Sequence, residues 1–331
     1  MTYPINNLSI QEFRGIERLD VPHFERINLI CGPRNCKTTV LDAVRVLLVR
    51  GRRSTLARIS HTPDMWDLFY QDSAEMVGNS PKPKTLGKQF EITANTDTDK
   101  PSSLKVTCVA AESHVDGDGY LHAIEAEQHD LSIAALRIEG GGRKRVVPVQ
   151  IPADTYASDN PQPLCSVVVF NANDDHALAG MWTEDLALTD AKDKVLELLW
   201  LADTAISDLA QVADKESENL YFKLRGHLPF PVPLDTYGYT VRKLLALGLS
   251  LHAAKNGVLL IDNFEHDVGT TILPTVWKGV QLLAREWNVQ VFATTRSHEC
   301  RKAFDRVTDG VRKDFTAEDR IRRRLFVRCS E

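Results

Sequence analysis

The chain of 331 residues predicts an α/β protein, and three observations carry that expectation. Continuous apolar runs (INLI, GVLLID, VQVFATT) read as strands buried on both faces. Stretches with apolar residues at helical spacing (TTVLDAVRVLLV, VRKLLALGLSLHAA, LPTVWKGVQLLAREW) lie between them, the alternation of a parallel sheet covered by helices. From about 85 to 170 the pattern changes to short alternating runs, which indicates an antiparallel β-lobe.

The elements follow in order. LSIQEF alternates as a half-buried strand does, a short stretch after Gly15 ends at Pro22, and INLI leads through CGPRNC into a helix that stops in the basic cluster Arg50, Arg52, Arg53. In the β-lobe the expected strands are QFEITA, LKVTCVA, LSIAALRI, RVVPVQI and CSVVVF, divided by TDTDKPSS, DGDG and GGGRK. DGDG at 116–119 reads as a plain turn, because no acid follows at the distance a calcium loop requires. Residues 190–213 read as a helix with Asp190 as N-cap, followed by the short strand NLYFKL and the proline-rich HLPFPVPLD. The expected domains are a strand-loop-helix segment with the β-lobe over 1–180, a short helical insertion over 181–213, and an α/β lobe with a basic tail over 214–331.

Hydrophobic residues at 43% and charged residues at 26% match a globular protein, and no apolar run is long enough to cross a bilayer. The six cysteines form no CxxC pair, and the first residues lack a signal-peptide layout, so a reduced cytoplasmic protein is expected. The net charge of −5 argues against bulk nucleic-acid affinity. Residues 301–331 nonetheless carry ten Lys/Arg against six Asp/Glu, a tail that either meets phosphate backbones or is a solvated face.

A phosphate-binding loop needs an apolar strand, a glycine turn whose N–H groups converge on phosphate, and Lys-Ser/Thr opening a helix. INLI-CGPRNCKTT-VLDA has that context, with Gly32 starting the turn, Lys37 for the outer phosphates and the Thr38 hydroxyl for Mg²⁺. The loop is one residue short of G-x-x-x-x-G-K-[ST], and Cys36 stands where the second glycine belongs. A tight turn without a ligand is the competing reading. VLLID, ending at Asp262, has the layout of the strand whose acid orients Mg²⁺, far enough downstream to exclude a compact small GTPase.

VPLDTYGYTVRKLLALGLSLHAAKNGVLLIDNFEHDVG, with NVQVFATTRSHECRKAF, resembles the ABC-type ATPases of the RecF/SMC/OLD group, especially compact bacterial AAA-type ATP-binding proteins. The likeness runs over about 7–50 and 181–304, with five motifs in the right order. It implies a P-loop NTPase head with ATP and Mg²⁺ as cofactors. It also implies that Arg14 of EFRGI lies near nucleotide, and that Gly32, Asn35, Cys36, Lys37, Thr38 and Thr39 form the loop. Thr38 and Asp262 would serve the metal, Glu265 is the second acid of D-E-x-E, and Gly238 is the first signature glycine, facing the γ-phosphate of a partner head. Gln71 is a weak match to the Q-loop glutamine, and a solvated Gln is the favoured reading.

The departures carry as much information. Asn263 stands where the family has the glutamate that polarises water, and loss of such a group typically costs about two or more orders of magnitude in rate. Arg296 replaces the switch histidine of TTHS while remaining a permanent cation, and Tyr239 and Thr240 replace the Asp and Gly of the signature. His252, His266 and His298 have no zinc spacing, Cys31 and Cys36 read as buried inert thiols, and no Ser/His/Asp or nuclease arrangement is evident.

The expectation is therefore an ATP-binding head with weak or absent hydrolysis. It would form a homodimer or dock onto an effector, in a bacterial defence or DNA-maintenance system, with nucleic acid through the basic tail. An active ATPase using Glu265 as base and a nucleotide-free scaffold remain the alternatives. The insertion is too short for a long coiled coil.

Overall fold

The computed structural model describes residues 4–32, 36–60, 65–69, 86–96, 101–115, 121–126, 133–149, 161–172, 175–182, 186, 188–213, 218–225, 231–307, 311–314 and 320–321. Asn35, Gln71, the DGDG turn and residues 322–331 of the basic tail lie outside them. The chain divides into two compact units, one of residues 1–24, 32–165 and 314–331, the other of residues 25–31 and 166–313. These boundaries differ from the expected breaks at 180 and 213, because each unit draws on distant segments of chain.

The first unit is built on an eight-stranded sheet. Its strands are β1 (Leu8–Phe13), β2 (Ile16–Val21), β4 (Gln89–Ala94), β5 (Ser102–Val115), β6 (Leu121–Glu125), β7 (Ile133–Gly140), β8 (Arg143–Pro148) and β16 (Arg320–Ile321). The order is β16-β2-β1-β4-β5-β7-β8, with β6 also on β5, and every pairing is antiparallel. The sequence pattern gave no sign of β6. Helix α1 (Lys37–Leu48) packs on β1, β4 and β5 through an apolar face that includes Val40, Val44 and Leu47, and α2 (Arg53–Ile59) follows it. Phe13, Phe69 and Phe90 form an aromatic cluster in this unit, with centroids 4.8 and 5.6 Å apart.

In the second unit, β3 (Ile27–Cys31), β9 (Val167–Val169), β13 (Val258–Ile261), β14 (Gln290–Thr294) and β15 (Val311–Asp314) form a sheet in the order β15-β3-β14-β13-β9. The pairings β3–β14, β14–β13 and β13–β9 are parallel. CSVVVF was expected in the β-lobe. Its central residues are instead β9, because a continuous apolar run suits a parallel strand better than an alternating one. A second, antiparallel sheet comprises β10 (Ile206–Ala213), β11 (Glu218–Leu224) and β12 (Val232–Pro233).

The helices of this unit are α3 (Asp175–Met181), α4 (Ala191–Leu199), α5 (Tyr239–Ala253), α6 (Leu273–Glu286) and α7 (His298–Val307). Phe264 stacks on Trp277 at 3.6 Å between centroids, and Phe304 meets Trp277 edge-on at 5.1 Å, at the heart of a core that includes Leu247, Ile261 and Val291. No helix among the described residues is long and apolar enough to cross a membrane.

The expected helix over 190–213 is corrected by these elements. α4 stops at Leu199, the Trp200 indole N–H donates to the Ile206 carbonyl at 2.7 Å, and the Asp203 carboxylate accepts from the Ala205 amide at 2.9 Å. The chain then runs on as β10. Ile206 and Leu209 are three apart, a helical spacing, yet both are buried on one side of a strand because the register shifts by a bulge between Ile206 and Asp208. Asp190 occupies the N-cap position, but its φ of −59° and ψ of −11° are helical and its side chain makes no capping bond.

Candidate functional site

The predicted site residues fall in both units, and each group has its own geometry. In the first unit, Gly32 is exposed with φ of 143°, a conformation that side-chain-bearing residues rarely adopt. Cys36 occupies the N-cap of α1 without a side-chain capping bond. Its side chain is buried, and burial pushes the thiol up to about 11, so the residue replacing the second glycine is an inert thiol rather than a nucleophile. Lys37 is also buried, and its Nζ donates to the Gly32 carbonyl at 2.9 Å. Thr38 is exposed on the first turn of α1, while Thr39 is buried. Arg14, in the left-handed region with φ of 52°, forms an ion pair with Asp42 of α1. The early basic residue is thereby fixed to the same helix that Lys37 opens.

In the second unit, the tips of β13 and β14 are pinned together. The Thr294 hydroxyl donates to Asp262 Oδ1 at 2.5 Å and accepts from the Asn263 amide at 2.9 Å. The Phe264 amide donates to the Thr294 carbonyl at 2.9 Å. Asp262 is exposed at the end of its strand. Asn263 has φ of 51°, a left-handed conformation that Asn tolerates and that a glutamate adopts at a cost.

Glu265 has both carboxylate oxygens engaged by the exit of β14. Oε2 accepts from the Thr295 hydroxyl at 2.7 Å, and Oε1 accepts from the Arg296 amide at 2.8 Å. The Arg296 side chain is exposed, and among the described residues its guanidinium has no carboxylate partner. Asp262, Asn263, Glu265 and Arg296 are thus gathered at the ends of β13 and β14.

Gly238 is the N-cap of α5. With φ of −65° and open space where a Cβ would stand, nothing among the described residues demands glycine there. Tyr239 is 69% exposed beside it, over an open depression of about 720 Å³ that Thr240, Asp267 and Ile272 also line. The Thr240 hydroxyl donates to the Asp267 carbonyl at 3.0 Å, tying the start of α5 to the turn after β13.

Three participants escaped the sequence reading. Lys243, on α5, is only 3% exposed, and its Nζ donates to the main-chain carbonyls of Asn263 at 3.4 Å and of His266. The ammonium also lies 5.5 Å from the centroid of the Phe170 ring. Burial lowers its pKa to about 8, against the opposing pull of Asp267, Glu265 and Cys300. Thr294 and Thr295 were missed as well, although FATTRS displays them in sequence.

His252 packs edge-on against Trp287 at 5.3 Å, and the His266 ring lies 2.6 Å from the Asp267 carboxylate. Among the described residues no group of three His, Cys, Asp or Glu could hold a metal.

The chain is similar to the SMC head domain from Thermotoga maritima, with a TM-score of 0.50 and 10% identity over 96% of this chain and 97% of that one. It is similar also to an SmcHead bound to the C-winged helix domain of ScpA, with a TM-score of 0.53 and 13% identity over 91% and 92%. The chain has the ABC-type ATPase head fold. At these identities the likeness fixes the head fold alone. No protein-family model and no curated protein matches the sequence. α1 follows the expected phosphate-binding loop, α5 follows Gly238, and β13 ends next to Asp262.

Proposed function

We propose that the chain is an ATP-binding ABC-type head that acts as a regulatory module with weak or absent hydrolysis. The residues fit a nucleotide: Gly32 enters the turn in a conformation that favours glycine, Lys37 and Thr38 open α1, and Thr38 is exposed. Thr38 and Asp262 would hold Mg²⁺. The ion would neutralise charge on the phosphates when bound.

The engagement of Glu265 carries the reading of weak turnover. A replacement base must be free to turn a lone pair toward water, and each oxygen of Glu265 already accepts one hydrogen bond, from Thr295 or Arg296, which ties the carboxylate to the exit of β14. Asn263 cannot accept the proton in its place. This favours the regulatory reading over an ATPase that uses Glu265. The module would transmit its nucleotide state to a second copy through the Gly238 face or to a docked effector, in a bacterial defence or DNA-maintenance setting suggested by family resemblance.

The test compares ATP binding and turnover in the native chain, Lys37→Ala, and Asn263→Glu/Arg296→His. Native binding that is lost in Lys37→Ala, with turnover gained only in the double variant, is the expected result. Native turnover that disappears in Lys37→Ala would instead support the Glu265 ATPase. Absence of binding at millimolar ATP would leave the scaffold reading. Since Asn263 has a left-handed backbone, the glutamate variant is expected to be less stable by about 1 kcal/mol. Its melting curve should therefore accompany the assay.

A further inference from the structure

The first unit contains an open groove of about 920 Å³ that the nucleotide reading leaves unused. It runs between the end of α1, the start of β5 and the β7–β8 turn. Leu104 and Leu164 give it an apolar floor, and Arg50, Lys105 and Arg143 stand along it. Among the described residues these three cations have no carboxylate partner. Two acids also line the groove, each opposite Lys105 in the sheet: Glu91 accepts from the Ser103 hydroxyl at 3.1 Å, and Glu139 lies 3.7 Å from Arg137 Nε, so the four cations outnumber them. Lys144, a fourth cation, is held 3.0 Å from Glu125.

Arg50 is also held in place. It sits just past α1 with φ of 54°, its amide donates to the Leu47 carbonyl at 2.9 Å, and Gly51 donates to Val46 at 2.7 Å. Arg145 donates to the Arg50 carbonyl, and a Cβ on Gly141 would lie 3.2 Å from Arg50 Nη1. The guanidinium is therefore seated against the β7–β8 turn, a preorganised donor rather than a swinging surface side chain. A seated guanidinium beside two further cations and apolar side chains, in a cavity of small-molecule size, suits an anionic ligand with an organic body.

We propose that this groove binds a compact phosphate-bearing ligand, with Arg50, Lys105 and Arg143 on the phosphates and Leu104 and Leu164 beneath the remainder. The site is independent of Lys37, so it is testable whether or not the loop binds ATP.

Calorimetry on the Lys37→Ala chain, with pyrophosphate and a short single-stranded oligonucleotide as separate probes, reads this directly. Pyrophosphate should bind the Lys37→Ala chain, more weakly at high salt. Adding Lys105→Gln/Arg143→Gln should weaken it about tenfold or more, while Lys105→Arg/Arg143→Lys should retain it. Thermal melts of both double variants separate loss of binding from loss of fold, since both side chains lie on strands at the surface of the sheet. Three results would overturn the proposal: no pyrophosphate binding, binding that the glutamine pair leaves unchanged in a folded chain, or binding of the oligonucleotide alone.

Discussion

Glu265 exemplifies a residue whose family role and local role diverge. Its carboxylate accepts from the Thr295 hydroxyl and the Arg296 amide, so it holds the exit of β14 without help from a nucleotide. Glu265→Ala should destabilise the chain by about 1–3 kcal/mol in urea unfolding without ATP, since the Thr295 hydroxyl and the Arg296 amide lose their acceptor. A residue acting only as a base would leave that stability unchanged. At this scale the sequence displayed the positions but not the partners. Asp262, Asn263 and Glu265 are visible as an acid-rich strand end, whereas Lys243 reads as one cation within VRKLLALGL. Its acceptors are main-chain carbonyls of Asn263 and His266, and carbonyls leave no residue-type signature in a sequence.

Among the elements, legibility followed periodicity. The runs that became β3, β13 and β14 have one reading, because their apolar residues are continuous and short. β10 had two, and its bulge placed helix-spaced residues on one face of a strand. The packing of α4 against α5 depends on a detail of the same kind. A Cβ on Gly248 of α5 would lie 3.0 Å from both Val195 methyl carbons of α4 and 3.4 Å from its Cβ. Val195 is fully buried and β-branched, so it has little freedom to turn away. Alanine would gain about 1 kcal/mol in helix propensity. Overpacking of this kind costs about 1–3 kcal/mol, and against a stiff neighbour it should win. Gly248→Ala is expected to lower the unfolding free energy, and Val195→Ala in the same chain should relieve part of the loss. Strict additivity of the two changes in a double-mutant cycle would show that the contact is not the cause.

For the molecule as a whole, pH dependence of stability tests whether Lys243 is buried as described. Its folded pKa of about 8 lies below the ordinary 10.5, so between those values the unfolded chain binds the extra proton. Stability then rises with pH across that interval, by at most about 3 kcal/mol if the whole shift is expressed. The penalty of burying the charge is fully present below pH 8. Cys36, Cys165 and Cys300 act in the opposite sense. Burial raises each of their thiols from 9.0 to about 11, so the stability they contribute is complete below pH 9 and declines as pH rises toward 11. The rise due to Lys243 should therefore be clearest between about pH 8 and 9, before the thiols offset it. Urea unfolding of the native chain beside Lys243→Met isolates the lysine, because Cys36 and Cys165 titrate alike in both and only Cys300 senses the lost charge. The difference in unfolding free energy should shift in favour of the native chain as pH rises from 7.5 to 9. A difference that is flat over that range would mean the ammonium reaches solvent, and would remove the buried link between α5 and the turn after β13.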